Sequence, residues 1–111
     1  MLSTLVDFQM TVIEPSGHVN AANASEFQDQ LAKAVASGEH SVLLVDMQQV
    51  ESLDSAGLMA LVSALHIAQR LNRRFTLCSI TPSIRIIFEL TQLDEVFEIF
   101  ENRAAFEASL S

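Results

Sequence analysis

The sequence predicts an α/β fold, with four helices and a mixed, mostly parallel sheet of about five strands, in the order β-β-α-β-α-β-α-β-α. Apolar runs of strand length alternate with segments whose apolar residues recur every three or four positions, the spacing of an amphipathic helix. Strands and helices that alternate in this way form right-handed crossovers and a parallel sheet. At 111 residues, half of them apolar, the chain can bury one core, so we expect a single domain over residues 1–111.

The first two strands are predicted to form a hairpin. Residues 5–13 alternate between apolar and polar side chains, which is the pattern of a half-exposed strand. A Pro and a Gly then favour a turn, and residues 17–20 would return as the second strand. The helix that follows begins at one of two alternative caps, Asn23 or Ser25, and ends near residues 37–38.

The centre of the chain is predicted to be a strand, a loop and a helix. The unbroken apolar run at residues 42–45 is typical of a strand that is covered on both faces. A loop is expected from Asp46 to Leu53. The helix after it directs a set of apolar residues at the core: Leu58, Leu61, Val62, Leu65 and Ala68. Asp54 and Ser55 lie where this helix begins, and either side chain can accept hydrogen bonds from first-turn amides.

The last third of the chain predicts two further strand and helix pairs. Residues 75–80 have the composition of an inner strand, and Thr81 followed by Pro82 favours the start of a helix. A short strand is predicted at residues 96–100. Asn102 then has the position of a cap for a terminal helix.

Charge and composition argue against several classes of function. The formal net charge of −8 repels nucleic-acid phosphates, so direct nucleic-acid binding is not expected. The amino terminus lacks a basic region followed by a long apolar segment, and no apolar run is long enough to span a bilayer, so we expect no membrane insertion. The single cysteine, Cys78, excludes an internal disulfide framework and favours a cytoplasmic location.

Catalytic and metal sites are not predicted. Cys78 lies in the middle of a predicted strand, where a buried and inert thiol is expected. Three histidines fall on a turn, a loop and a helix without a spacing that converges on a metal: His18, His40 and His66. Asp46 and Asp54 could share a cation, but carboxylates separated by a loop more often accept hydrogen bonds from backbone amides. We therefore expect no cofactor and no enzymatic activity.

The outer side of the central helix has an unusual composition for a solvent-exposed surface. Small or apolar side chains are predicted there at helical spacing: Ala56, Met59, Ala60, Ser63 and Ile67. A solvated helix face would instead carry Lys, Glu and Arg. The stripe indicates either a docking surface or the contact of a neighbouring element.

The central segment is similar to the signature of STAS domains, the fold of bacterial anti-sigma-factor antagonists, in its residues VLLVDMQQVESLDSAGLMAL. Residues 17–24 resemble the second strand of that family and the start of its first helix. The segment PSIRIIFELTQLDEVFEIF resembles the C-terminal third of that family. Because nearly the whole chain is covered, the resemblance implies one STAS domain.

The resemblance also implies a partner switch. In this family the unphosphorylated antagonist binds an anti-sigma factor of the GHKL serine-kinase type and so frees the sigma factor. The kinase then phosphorylates a hydroxyl in a D-[ST]-[ST]-G turn, the complex dissociates, and a phosphatase is a further partner to expect. The residues of this chain that would bind the partner are Asp54, Ser55, Ala56, Gly57, Met59, Ala60 and Ser63.

Ala56 departs from the family pattern, because the position before Gly57 is commonly Ser or Thr and often the acceptor. Only Ser55 remains as a hydroxyl in this turn, either as the phosphorylation site or as no more than the helix cap. Ala56 also favours an alternative, the small STAS subunit that binds the ATPase of lipid-transport ABC transporters. The long C-terminal match favours the antagonists instead.

Overall fold

A computed structural model describes residues 2–6, 10–37 and 42–110. The strands in these ranges are β1 (Leu2–Val6), β2 (Thr11–Pro15), β3 (Gly17–Val19), β4 (Val42–Asp46), β5 (Val50–Leu53), β6 (Arg74–Cys78) and β7 (Glu98–Phe100). The helices are α1 (Ala24–Ser37), α2 (Ser55–Arg70), α3 (Pro82–Leu90) and α4 (Arg103–Ser109), with a 3₁₀ helix at Leu93–Glu95.

Five strands form the main sheet, in the order β1-β2-β4-β6-β7. β1 and β2 are antiparallel, whereas the pairs β2–β4, β4–β6 and β6–β7 are parallel. Leu44 in β4 lies opposite Val12 on one side and Thr76 on the other, so β4 is a central strand. The predicted mixed, mostly parallel sheet is confirmed, and its strands and the four described helices follow the predicted order.

The hairpin at the amino terminus differs from the prediction. It joins β1 to β2, so the predicted single strand over residues 5–13 is divided between two strands, and its residues 7–9 lie outside the described residues. β3 is not the second strand of this hairpin, since it leaves the main sheet and pairs with β5. Gly17 has a φ of 81°, a left-handed conformation that favours glycine, where the chain turns away after β2.

The predicted loop between Asp46 and Leu53 contains the short strand β5. β3 and β5 form a second, two-stranded parallel sheet. Its buried side chains, Val19, Val50 and Leu53, join the main core. Since only Asp54 separates Leu53 from the first residue of α2, this small sheet fixes where the helix begins.

The core lies on both faces of the main sheet. Leu43, Leu44 and Val45 of β4 are all fully buried, although successive residues of a strand point to opposite faces. Leu43 and Val45 pack in a large cluster with apolar residues of α1, α2 and α3. Leu44 packs instead in a smaller cluster with Phe106 of α4. Three helices therefore cover one face of the sheet, and α4 covers the other.

The C-terminal elements lie close to their predicted positions. Thr81 precedes α3 and Pro82 opens it, although the Thr81 side chain makes no capping hydrogen bond. Asn102 does cap α4, since its Oδ1 accepts a hydrogen bond from the amide of Ala105 at 2.7 Å. Among the described residues, none of the helices combines the length and the apolar character needed to cross a membrane.

Candidate partner-binding site

Asp54 is the residue that caps α2. Its backbone is extended, with φ −96° and ψ −175°, and its carbonyl accepts the first helical hydrogen bond from the amide of Leu58. Its Oδ1 accepts a hydrogen bond from the amide of Gly57 at 3.1 Å. Asp54 therefore satisfies a free amide of the first turn, and Ser55 is the first residue of the helix and not its cap.

The second oxygen of the same carboxylate binds a different part of the chain. Asp54 Oδ2 accepts a hydrogen bond from the amide of Ala21 at 3.0 Å, and the Asp54 amide donates to the carbonyl of Val19 at 3.1 Å. Asn23, which lies immediately before α1, closes this turn by accepting from the amide of Asn20 at 2.9 Å. One carboxylate thus joins the start of α2 to the turn that precedes α1.

Gly57 allows α2 to lie directly against the small sheet. It is buried, and a Cβ atom at this position would lie 2.6 Å from Cδ1 of Leu53 and 2.7 Å from Cγ1 of Val19. Such separations are well inside van der Waals contact, so a larger side chain would displace the helix or the strands. Gly57 positions the first turn through this close approach and does not present a side chain to a partner.

The other predicted site residues differ in their exposure. Asp54 and Ser55 are exposed, Met59 is 60% exposed, and Ala56 and Ser63 are half-buried. In the described part of the chain, the Ser55 hydroxyl has no hydrogen-bond partner. These residues together leave a surface that begins with a free hydroxyl and extends along α2 to the apolar side chain of Met59.

Ala60 does not belong to that surface, and the prediction that it faces outward is wrong. It is only 1% exposed and lies in the main core. α1 packs against α2, and the hydrogen bond from Gln28 of α1 to Ser63 places α1 near this side of α2, since Ser63 lies about one turn after Ala60. Ile67, also predicted to face outward, is partly buried against the same core. The stripe is therefore covered in part by a neighbouring helix and exposed in part.

The histidines have structural surroundings that the sequence does not reveal. His18, predicted on a turn, lies in β3, where its Nδ1 is 2.7 Å from the Ser52 hydroxyl and its Nε2 is 3.4 Å from a carboxylate oxygen of Glu51. It therefore connects the two strands of the small sheet. His66 lies on α2, in agreement with the predicted helix, and is exposed, whereas His40 lies outside the described residues.

Asp46 and Cys78, two residues that the sequence analysis considered for metal binding or catalysis, have structural surroundings. Asp46 Oδ1 accepts a hydrogen bond from the amide of Gln48 at 3.0 Å, so both Asp46 and Asp54 bind backbone amides. Within the described ranges, no three His, Cys, Asp or Glu residues lie where they could hold a metal ion. Burial raises the pKa of the Cys78 thiol to about 11, which disfavours the reactive thiolate.

A surface groove of about 700 Å³ lies between α1 and α2. The residues that line it are Gln28, Ser63, His66, Ile67, Gln69 and Arg70. The Gln28 amide nitrogen donates to the Ser63 hydroxyl at 3.2 Å, and this hydrogen bond joins the two helices. The sequence does not predict this groove, because Gln28 and Arg70 are distant along the chain and only the packing of α1 beside α2 brings them together.

The family model of the STAS domain matches residues 3–105. The chain belongs to the STAS domain family. This STAS domain is 30% identical over 93 residues to BtrV of Bordetella bronchiseptica, a protein provisionally named an anti-sigma factor antagonist. The matched segment covers 84% of this chain and 79% of BtrV. The resemblance of the central segment to the STAS signature is therefore confirmed.

Solved structures show the same fold at lower identity. A Thermotoga maritima protein, also described provisionally as an anti-sigma factor antagonist, has a TM-score of 0.88 and 20% identity, over 97% of this STAS domain and 92% of that chain. The Bacillus anti-sigma factor antagonist SpoIIAA, solved in unphosphorylated and phosphorylated forms, has a TM-score of 0.71 and 14% identity for both. These matches cover 98% of this STAS domain, and 96% and 99% of the SpoIIAA chains respectively.

Proposed function

We propose that this STAS domain is an anti-sigma-factor antagonist that acts in the cytoplasm as a single domain over residues 1–111. It binds an anti-sigma factor of the GHKL serine-kinase type and so releases the sigma factor. Phosphorylation of Ser55 by that kinase ends the complex, and a phosphatase restores the binding form. The name of BtrV and the similarity of the fold to SpoIIAA support this function.

One observation carries the proposal, which is that Asp54 caps α2 in place of Ser55. A serine that served as the cap would have its hydroxyl engaged with a backbone amide. Here Asp54 accepts that hydrogen bond, and Ser55 is exposed in the first turn. Its hydroxyl is therefore available as an acceptor for a phosphoryl group, although the neighbouring Ala56 lacks one.

The position of Ser55 also explains why phosphorylation would act on binding and not on folding. A phosphate adds about −1.5 to −2 charges at neutral pH. The amino-terminal end of a helix tolerates negative charge, so α2 would remain folded. The same charge would lie beside the exposed side chain of Met59, where an apolar partner surface would have to desolvate it. Every 1.4 kcal/mol of that desolvation cost weakens the affinity for the partner about tenfold.

The surface that we propose as the partner site comprises Asp54, Ser55, Ala56, Met59 and Ser63. Gly57 supports it by holding the first turn of α2 against the small sheet. Asp54 has a double role, since its carboxylate is exposed and also fixes the turn before α1. The turn and the helix start are thus presented to a partner as one unit.

Capture of partners from a lysate of the native cells tests the proposal. We expect wild-type protein to retain a GHKL-type kinase, identified by mass spectrometry, and Ser55→Asp and Met59→Glu to lose it. Ser83→Asp places the same charge in the first turn of α3, and Ile86→Glu changes another exposed apolar residue, 54% exposed. Both of these controls should bind as wild type does.

Phosphorylation is tested with the captured kinase and ATP. Mass spectrometry of the product should show phosphate at Ser55, and Ser55→Ala should remain unmodified. Phosphate elsewhere, or an unmodified turn with an active kinase, would contradict the switching mechanism. Capture of a transporter ATPase instead of a kinase would favour the alternative that Ala56 supports, the STAS subunit of a lipid-transport ABC transporter.

A further inference from the structure

The groove between α1 and α2 is continuous with the surface at the start of α2. Ser63 belongs to both, since it lines the groove and lies one helical turn after Met59. The groove then follows α2 to Arg70 at its last turn. A partner that contacts Met59 can therefore reach Arg70 along the same helix.

The charge of the groove is opposite to that of the molecule as a whole. The chain has 14 acidic and 6 basic residues, yet the described residues that line the groove include Arg70 and no carboxylate. Arg74 and Arg103 are paired with the carboxylates of Glu98 and Glu107. In the same described ranges, Arg70 has no carboxylate within salt-bridge distance. Its guanidinium is left to bind an anionic group from outside.

We propose that this groove binds an acidic segment of the partner protein, with an Asp or Glu side chain on Arg70. The proposal rests on the function proposed above and adds the chemistry of the partner. An arginine presents a planar fork of donors that matches a carboxylate at two points. Gln28 and Gln69 provide further amide groups, and Ile67 provides an apolar wall for the aliphatic part of the segment.

Electrostatics favours an acidic segment in this groove over most of the acidic surface of the molecule. A chain with a net charge of −8 repels acidic partner surfaces over most of its area. A groove without carboxylates is then the place where an acidic segment is accepted, so the contact determines the orientation of the bound partner. The apolar contact at Met59 provides affinity, and the ion pair with Arg70 determines how the partner is positioned along α2.

Charge reversal at Arg70 tests the proposal, with the purified kinase-type anti-sigma factor as the probe. Arg70→Glu should weaken binding by at least tenfold, measured as Kd at low salt. Arg85→Glu, at an exposed position on α3, makes the same change in net charge and should stay within twofold of wild type. Raising the salt concentration should weaken wild-type binding more than binding of Arg70→Glu, because salt screens charge pairs.

A charge swap identifies the carboxylate on the partner. One Asp→Lys or Glu→Lys substitution in the anti-sigma factor should restore binding to Arg70→Glu while weakening binding to wild type. Equal Kd values for wild type and Arg70→Glu, an equal loss with Arg85→Glu, or failure of every swap would overturn the groove proposal alone. Failure of wild type to bind any anti-sigma factor would overturn the proposed function together with it.

Discussion

At the scale of the residue, Asp54 joins two parts of the structure in addition to its place in the turn that resembles the STAS signature. One oxygen of its carboxylate caps α2 through Gly57, and the other binds the amide of Ala21. An aspartate is suited to this because it has two acceptor oxygens and no donor when ionised. Asparagine retains only one acceptor oxygen, and alanine retains none.

Asp54→Ala should therefore destabilise the protein. Loss of a helix cap costs about 1 kcal/mol, and the amide of Ala21 loses its partner as well. Urea denaturation followed by circular dichroism measures the free energy of unfolding. Asp54→Asn is the matched variant, because it keeps the capping oxygen and should cost less than Asp54→Ala. Equal unfolding midpoints for Asp54→Ala and wild type would contradict the role of this carboxylate.

Much of the geometry at the candidate site could be predicted from the sequence, and the exceptions have physical reasons. Asp54 and Ser55 were both possible caps, since both residue types accept hydrogen bonds from first-turn amides, and only the geometry distinguishes them. The burial of Ala60 was missed because helical spacing shows which side faces the sheet but not where a second helix packs. The Arg70 groove required two helices that are distant in sequence to be placed side by side.

At the scale of the element, the long periodic segments were predicted well, whereas the strand β5 and the pairing of β3 with it were not predicted. α2 and β4 have continuous patterns, so the sequence places both of them. β3 and β5 have three and four residues, too few for a reliable alternation. β3 and β5 form because they pair with each other. A pairing between segments that are distant in sequence produces no recognisable pattern within either segment.

The edge of the sheet at β7 is held by an ion pair that lies against aromatic rings. Arg74 Nε donates to Glu98 Oε1 at 2.8 Å. The guanidinium carbon lies 5.2 Å from the ring centre of Phe106 and 6.0 Å from that of Phe100. The arginine thus links β6, β7 and α4 by one charged group and two rings.

Glu98→Gln should reduce stability at neutral pH by about 0.5 kcal/mol, because the pair is partly exposed and screened by solvent. The Arg74 hydrogen bond lowers the pKa of Glu98 below its ordinary value. The stabilisation is therefore complete above the unfolded-state pKa and is lost as pH falls through the lowered folded-state pKa. Urea unfolding of both proteins across the acidic range should show the difference narrowing as pH falls. A difference that grows toward acid pH would contradict this assignment.

At the scale of the whole molecule, the two faces of the sheet have separate clusters and separate roles. The face covered by α1, α2 and α3 carries the proposed partner site and the groove. The opposite face is closed by α4, whose Phe106 is fully buried near Cys78 and Leu44. Access to Cys78 therefore requires that α4 separates from the sheet.

Thiol labelling measures this separation. Cys78 is fully buried, and burial raises its pKa to about 11 from an ordinary 9.0, so the thiolate is about a hundredfold scarcer near pH 8. We expect a disulfide reagent to label the native protein at least a hundredfold more slowly than the protein in urea. Phe106→Ala should speed native labelling, because it removes a large buried side chain that covers this face. Native labelling as fast as in urea would show that α4 does not protect the thiol.

The close packing of Gly57 against Val19 and Leu53 has a consequence for the kinetics of association. A first turn held by two strands and by the Asp54 carboxylate has little freedom to lose when a partner binds. Such a preorganised surface should bind without a slow rearrangement step, at rates set by diffusion and charge. Addition of phosphate at Ser55 would then shorten the lifetime of the complex, while the backbone of the free protein stays as it was.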